Sequence, residues 1–145
     1  RTMIRVFVDA SVLFSACYSA SGASRELIRL SIQGQVALLI SDLVQEEARR
    51  NLNAKAPQAL PLLDQLLGTV PFETVVPDRH EVAAACAYTE LKDAPIVAAA
   101  VKAKADYLVS LDRAHLVDVP KVAEGARIPV LVPGELLRII RNQSS

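Results

Sequence analysis

The chain has 145 residues, 52% of them hydrophobic and none of them Trp, and it balances 16 basic side chains against 16 acidic ones. That length suits one domain with a real core. Zero formal charge argues against a surface basic all over and leaves room only for a local basic stripe. No apolar stretch approaches the roughly 20 residues of a membrane span. No secretory leader is evident, because "MIRVFVDASVLFSA" is too short and is interrupted by charge. Cys17 and Cys86 stand alone among small apolar residues without metal-ligand or CxxC spacing, so both read as buried thiols in a reducing compartment. A cytoplasmic location is expected. Residues 3–142 read as a single domain, Arg1 and Thr2 as a cloning remnant, and residues 143–145 as a frayed end.

Along the chain, "IRVFV" (Ile4–Val8) reads as a central strand. "GASRELIRLSIQG" (Gly22–Gly34) reads as a helix, with Ser21 or Ser24 near its start and Gly34 as its stop. "VALLI" (Val36–Ile40) is a second strand, followed by a helix over Ser41–Lys55 capped by Ser41 or Asp42. "PQALPLLDQLLG" (Pro57–Gly68) predicts a third helix and "PFETVVP" (Pro71–Pro77) a strand. "RHEVAAACAYTEL" (Arg79–Leu91) and "APIVAAAVKAK" (Ala94–Lys104) predict two more helices, the second with Asp93 at its N-cap and Pro95 in its first turn. "YLVS" (Tyr107–Ser110) and "IPVLV" (Ile128–Val132) predict buried strands, and "GELLRIIRN" (Gly134–Asn142) a terminal helix. Short apolar strands alternating with helices indicate an α/β/α sandwich around a mostly parallel sheet.

Sites in such sheets form beyond the carboxyl ends of the strands. Asp9 follows the first strand, Ser41 and Asp42 the second, Asp78 the third and Asp112 the fourth. Glu46 and Glu47 lie further along the helix after the second strand. A helix over Ala94–Lys104 travels roughly 16 Å, and the strand behind it returns about as far. Asp93 and Asp112 can therefore meet at one edge. Several carboxylates there repel one another unless some take up protons or a cation intervenes. Mg²⁺ and Mn²⁺ favour oxygen ligands. Such a cation activates water and polarises a phosphoryl oxygen, so the expected chemistry is metal-assisted phosphodiester hydrolysis. No GxSxG elbow, GxGxxG or P-loop is present, and the histidines His80 and His115 have no partner in spacing.

"RVFVDASVLFSA", "LLISDLVQEEARRNL" and "ELKDAPIVAAAVKAKADYLVSLD" resemble the PIN domain in order and approximate spacing, over nearly the whole chain. The resemblance is closest to bacterial PIN proteins assigned as toxins of toxin–antitoxin pairs. It implies a Mg²⁺- or Mn²⁺-dependent endoribonuclease acting on single-stranded RNA and leaving a 5′-phosphate and a 3′-hydroxyl. It implies Asp9, Glu47, Asp93 and Asp112 as catalytic metal ligands, with Glu46 the alternative to Glu47. Ser11 and Ser110 would orient carboxylates, and Glu90 falls where some members carry an extra acid. An antitoxin protein and a second copy of the chain are the implied partners. Two departures stand out: Leu111 replaces a frequent Gly before the last Asp, and Ala114 a further Asp in some members, which bears on a second metal site.

Competing readings are ordinary ones. Asp9, Asp42 and Asp93 also suit helix N-caps, Asp112 suits a turn, and Glu47 suits an exposed helix position paired with Arg50 or Asn51. His80 and His115 suit surface or capping positions. Arg113 is the best candidate for a phosphate contact, with Arg50, Arg49 and Lys55 as further candidates. Lys102 and Lys104 suit a solvated face. Tyr18 suits either base stacking or packing on a helix. A catalytically silent PIN scaffold that binds RNA or protein is the second functional reading. A phospho-acceptor receiver fits poorly, because Asp9 is single and no lysine follows the last strand.

Overall fold

The computed structural model describes residues 3–19 and 22–144; the expectations for Arg1, Thr2, Ser21 and Ser145 lie outside the described residues. β1 (Ile4–Val8) is the middle strand, and its Val6, Phe7 and Val8 are buried. α1 (Ala10–Tyr18) follows at once, then α2 (Ala23–Ile32). β2 (Val36–Ser41) leads into α3 (Asp42–Lys55). A 3₁₀ turn over Pro57–Ala59 precedes α4 (Leu60–Thr69), and β3 (Glu73–Val75) comes next. α5 (Arg79–Ala85) and α6 (Ala94–Lys102) then run to β4 (Tyr107–Val109). A π-type turn over Arg113–Val117, α7 (Pro120–Ala126), β5 (Val130–Leu131) and α8 (Pro133–Ser144) complete the chain.

All strand pairs are parallel, in the order β3-β2-β1-β4-β5, and helices flank the sheet. β1 registers Ile4 against Val36 on one side and Val6 against Tyr107 on the other. The order reverses between β1 and β4. The chain builds outward from β1 through β2 to β3, then returns to lay β4 on the opposite flank of β1. That switch point opens a crevice beyond the carboxyl ends of β1 and β4.

The core is aliphatic. Phe7, Leu38, Leu39, Ile40 and Leu108 are fully enclosed, and burying such a side chain is worth about 1.5–3 kcal/mol. α6 is built from small residues, with Val97, Ala98, Ala99 and Ala100 buried, so its backbone approaches its neighbours closely. Gly125 in α7 does the same: a Cβ there would lie 2.1 Å from Cγ of Tyr88.

Several expected elements change extent. α1 had no clear signal, yet Val12, Leu13, Ala16 and Cys17 form its buried stripe and Asp9 caps it. α7 is likewise an addition, within a stretch expected to be a turn. The expected helix over Arg79–Leu91 stops at Ala85, where a turn begins. Cys86 falls in that turn and is exposed, which corrects its reading as a buried thiol. Cys17 is buried, and desolvation pushes its thiol up to about 11. α2 starts at Gly22 without a side-chain cap, and Ser24 is buried inside it. β3 and β5 pair over only three and two residues, shorter than their apolar runs. α6 ends at Lys102, with Lys104 left-handed at φ 56°. α8 continues to Ser144, past the point expected to fray.

Candidate active site

Asp9 closes β1 at the switch point. Its backbone N–H donates to the Val109 carbonyl of β4 at 3.1 Å, which fixes its height on the sheet. The carboxylate is buried and has distinct tasks for its two oxygens. Oδ1 accepts from the Ala10 N–H at 2.7 Å and caps α1. Oδ2 accepts from Ser110 Oγ at 2.7 Å and from Ser11 Oγ at 3.1 Å. The capping reading of Asp9 therefore holds without excluding a further role.

Both serines also accept from the segment that leads to Asp112. Ser110 Oγ accepts from the Asp112 N–H, and Ser11 Oγ from the Leu111 N–H, each at 3.0 Å. The serines thus orient one acid while fixing the backbone that presents another. Asp112 itself begins the π-type turn. Its Oδ1 accepts from the His115 N–H at 3.1 Å, and both its oxygens lie 3.2 Å from His115 Nδ1. His115 Nε2 in turn lies 3.5 Å from Glu90 Oε2. His115 is at the surface as expected, and it sits between two acids.

Glu47 and Asp93 complete the edge. On α3, Glu46 is exposed and lines a separate hollow with Ser41, Asp42 and Val75. Glu47, about 100° around the helix, is half-buried and faces the other acids. Burial first, then the negative charges of Asp9 and Asp93, push its carboxyl above the ordinary range. Burial likewise raises Asp93, with Asp112 and Asp9 adding to the effect. All four expected acids therefore share one field. Ser41, not Asp42, caps α3 through a bond from the Val44 N–H. Asp78 forms a reciprocal capping box with Glu81 on α5, a structural task.

Asp93 departs from the expected N-cap. Its backbone is already helical and its side chain caps nothing. Asp93 Oδ2 is buried with no hydrogen-bond partner. The cation beside it is Lys92, whose Nζ lies 3.5 Å from Asp93 Oδ2 and 4.0 Å from Asp112 Oδ2. Residue typing along the sequence passed over Lys92, although it directly precedes Asp93 in "LKDAP".

The acids do not close into a cage. Among the described residues, no three His, Cys, Asp or Glu side chains gather tightly enough to hold a metal ion. Asp112 is drawn to His115, Asp9 to two serines, and Lys92 lies between Asp93 and Asp112. The donor set nevertheless suits a hard divalent cation: carboxylate oxygens only, one of them buried and without a hydrogen-bond partner, with two carboxyls raised by burial and further by their acidic neighbours.

The expected basic contacts spread out. Arg113 lies 3.5 Å from Asp118, Arg49 pairs with Asp64 and Lys102 with Glu81. Arg50 is exposed beside Glu47 and its charge reaches that carboxylate. Tyr18 is exposed and stacks on Phe14 at 5.6 Å, and Lys55 sits 5.7 Å above the same Phe14 ring. A cavity of about 400 Å³ lies beside the acid edge, lined by Tyr88, Thr89, Glu90, His115, Lys121 and Val122 among others.

Comparison with known proteins points one way. No curated protein matches the chain. The fold is similar to that of VapBC2 from Rickettsia felis, solved with a DNA fragment from their promoter, at 15% identity and a TM-score of 0.62, covering 88% of this chain and 97% of that one. It is similar to PAE2754 from Pyrobaculum aerophilum at 20% identity and a TM-score of 0.64, covering 93% and 88%. It is also similar to VapC20 from Mycobacterium tuberculosis, a sarcin-ricin loop cleaving toxin, at 18% identity and a TM-score of 0.54, covering 75% and 91%. At such identities the likeness is one of fold. The family model described as PIN domain matches residues 5–114, a span that holds Asp9, Glu47, Asp93 and Asp112, and on that match the chain belongs to the PIN domain family.

Proposed function

We propose that the chain is a divalent-metal-dependent endoribonuclease, the toxin of a toxin–antitoxin pair, that hydrolyses phosphodiester bonds of single-stranded RNA. One observation carries this reading: Asp9, Glu47, Asp93 and Asp112, scattered over the sequence, share one field at the sheet's switch point, where Glu47 and Asp93 are held above the ordinary carboxylate range. The likeness to VapBC2 and VapC20 supports it. Asp9, Glu47, Asp93 and Asp112 would hold Mg²⁺ or Mn²⁺. When bound, that cation supplies an activated water and neutralises charge developing on the phosphoryl oxygens.

The chain's own groups do the rest. Ser11 and Ser110 keep Asp9 aimed by donating to Oδ2. Arg113 and Arg50, on either side of the edge, would meet the phosphates of the strand. No side chain serves as a covalent nucleophile. An antitoxin protein and a second copy of the chain are the partners proposed, in the cytoplasm; no helix among the described residues is long and apolar enough to cross a membrane.

Incubating the purified protein with end-labelled single-stranded RNA and Mn²⁺, beside Asp9→Asn, tests the reading. Cleavage by the parent alone is expected. A silent scaffold is the second reading, favoured by the open spacing of the acids and by Ala114. RNA retained intact by both proteins would establish it instead.

A further inference from the structure

We infer that Lys92 is the resident counter-ion of the acid edge, an ammonium that bridges carboxylates in the metal-free protein and must swing out when a divalent cation enters. The inference rests on the metal-dependent reading above and deepens it by naming what the cation displaces. Lys92 Nζ lies 3.5 Å from Asp93 Oδ2 and 4.0 Å from Asp112 Oδ2. Asp93 precedes α6 and Asp112 follows β4, so a single ammonium joins the two sides of the crevice. Its field also reaches Glu47, where it opposes the effect of Asp9 and Asp93. Asp93 Oδ2 has no hydrogen bond to stabilise its charge, which leaves Lys92 as the compensation drawn up beside it.

A lysine suits this task. Its charge is compact, its stem is flexible, and the side chain is 58% exposed, so it leaves the crevice without disturbing the core. The neighbouring cations do not fill the same place. Arg113 is turned to Asp118, and Lys102 to Glu81. The protein thus carries its own competitor for the metal, tethered to the residue next to Asp93.

Titration calorimetry with Mn²⁺, together with the thermal midpoint in chelator, tests this on the full chain and on Lys92→Met, Lys92→Arg and Lys102→Gln. Lys92→Met is expected to bind Mn²⁺ about five- to tenfold more tightly, the scale of one unit charge about 4 Å away when water screens it, as it does for this exposed side chain. Its metal-free midpoint should fall, because the carboxylates lose their counter-ion. Lys92→Arg, which keeps the charge, and Lys102→Gln, which removes one elsewhere, should bind Mn²⁺ like the parent. Binding by Lys92→Met where the parent binds none supports the inference in its strongest form. Equal Mn²⁺ affinity in parent and Lys92→Met, with binding lost in Asp93→Asn, overturns it and leaves the metal-dependent reading standing. Absence of Mn²⁺ binding in both overturns the two together. A loss of single-stranded RNA affinity in Lys92→Met with Mn²⁺ affinity unchanged makes Lys92 a substrate contact and overturns the counter-ion role.

Discussion

The two edges of the sheet handle charge in opposite ways. At the amino edge, Arg5 donates to both oxygens of Glu73 at 2.9 and 3.0 Å and to the Ala103 carbonyl at 2.8 Å, while its own N–H donates to Asp106 Oδ2 at 2.8 Å. Glu73 is pulled below the ordinary carboxylate range by that guanidinium, and Arg5 is raised in return. At the carboxyl edge, Glu47 and Asp93 are pushed up, and a buried oxygen goes unpartnered. The amino edge pairs Arg5 with fixed acids, whereas at the carboxyl edge the exposed ammonium of Lys92 is drawn up beside acids that still stay above the ordinary range.

The sharpest way to break that contrast is Asp93→Asn. RNA cleavage should fall by at least about 100-fold, since even the groups that orient metal ligands are worth 10–100-fold. Metal-free stability should stay level or rise, because repulsion is relieved and no cap is lost. A thermal midpoint well below the parent's would return Asp93 to a structural role. Next in size, saturating Mn²⁺ at about 100 times its Kd should stabilise the parent by about 2.7 kcal/mol by mass action. The same addition should barely move Asp9→Asn in a thermal melt.

Ser110→Ala should cost about 1–3 kcal/mol, because Asp9 Oδ2 and the Asp112 N–H both lose a buried partner. Activity should drop about 10–100-fold, and chemical denaturation beside an RNA cleavage assay reads both. The smallest effects concern pH, and the two edges should slope in opposite directions. Raised carboxyls bind more protons folded than unfolded, so the metal-free protein should gain stability from Glu47 and Asp93 as pH falls from 7 towards about 5. Glu73, held low, contributes above the unfolded carboxylate value of about 4.3 and loses that contribution as pH falls through its folded value. Glu73→Gln should therefore cost about 0.5–1 kcal/mol at neutral pH, after allowing for solvent screening at an exposed pair, and nothing in acid. Melts across this pH range that show no opposite slopes would erase the distinction between the edges.

The strands and the long helices were legible because apolar runs of strand length alternate with Ala- and Leu-rich segments bounded by Ser, Asp, Gly and Pro. α1 was not, because "ASVLFSACY" mixes β-branched, aromatic and hydroxyl residues and becomes helical through burial of one stripe against the core. α7 was hidden by Pro120 and Gly125, and Gly125 is there to clear the Tyr88 ring. The acids were legible by residue type and order after strands. Choosing Glu47 over Glu46 took the family resemblance, and the structure turns Glu47 inward. Glu90 was flagged as an extra acid, but its grouping with His115 and Lys92 could not be read, since that depends on which way long side chains turn once β4 and α6 are packed.

The serine tie has a consequence for biosynthesis. Ser110 holds Asp9 from 101 positions further along the chain. A nascent polypeptide that has laid β1 against β2 still lacks that anchor, and non-local pairing of this kind is the slow part of folding. The acid edge therefore takes shape only when nearly all of the sheet has emerged from the ribosome. A half-made chain thus lacks a complete acid edge by construction of its topology.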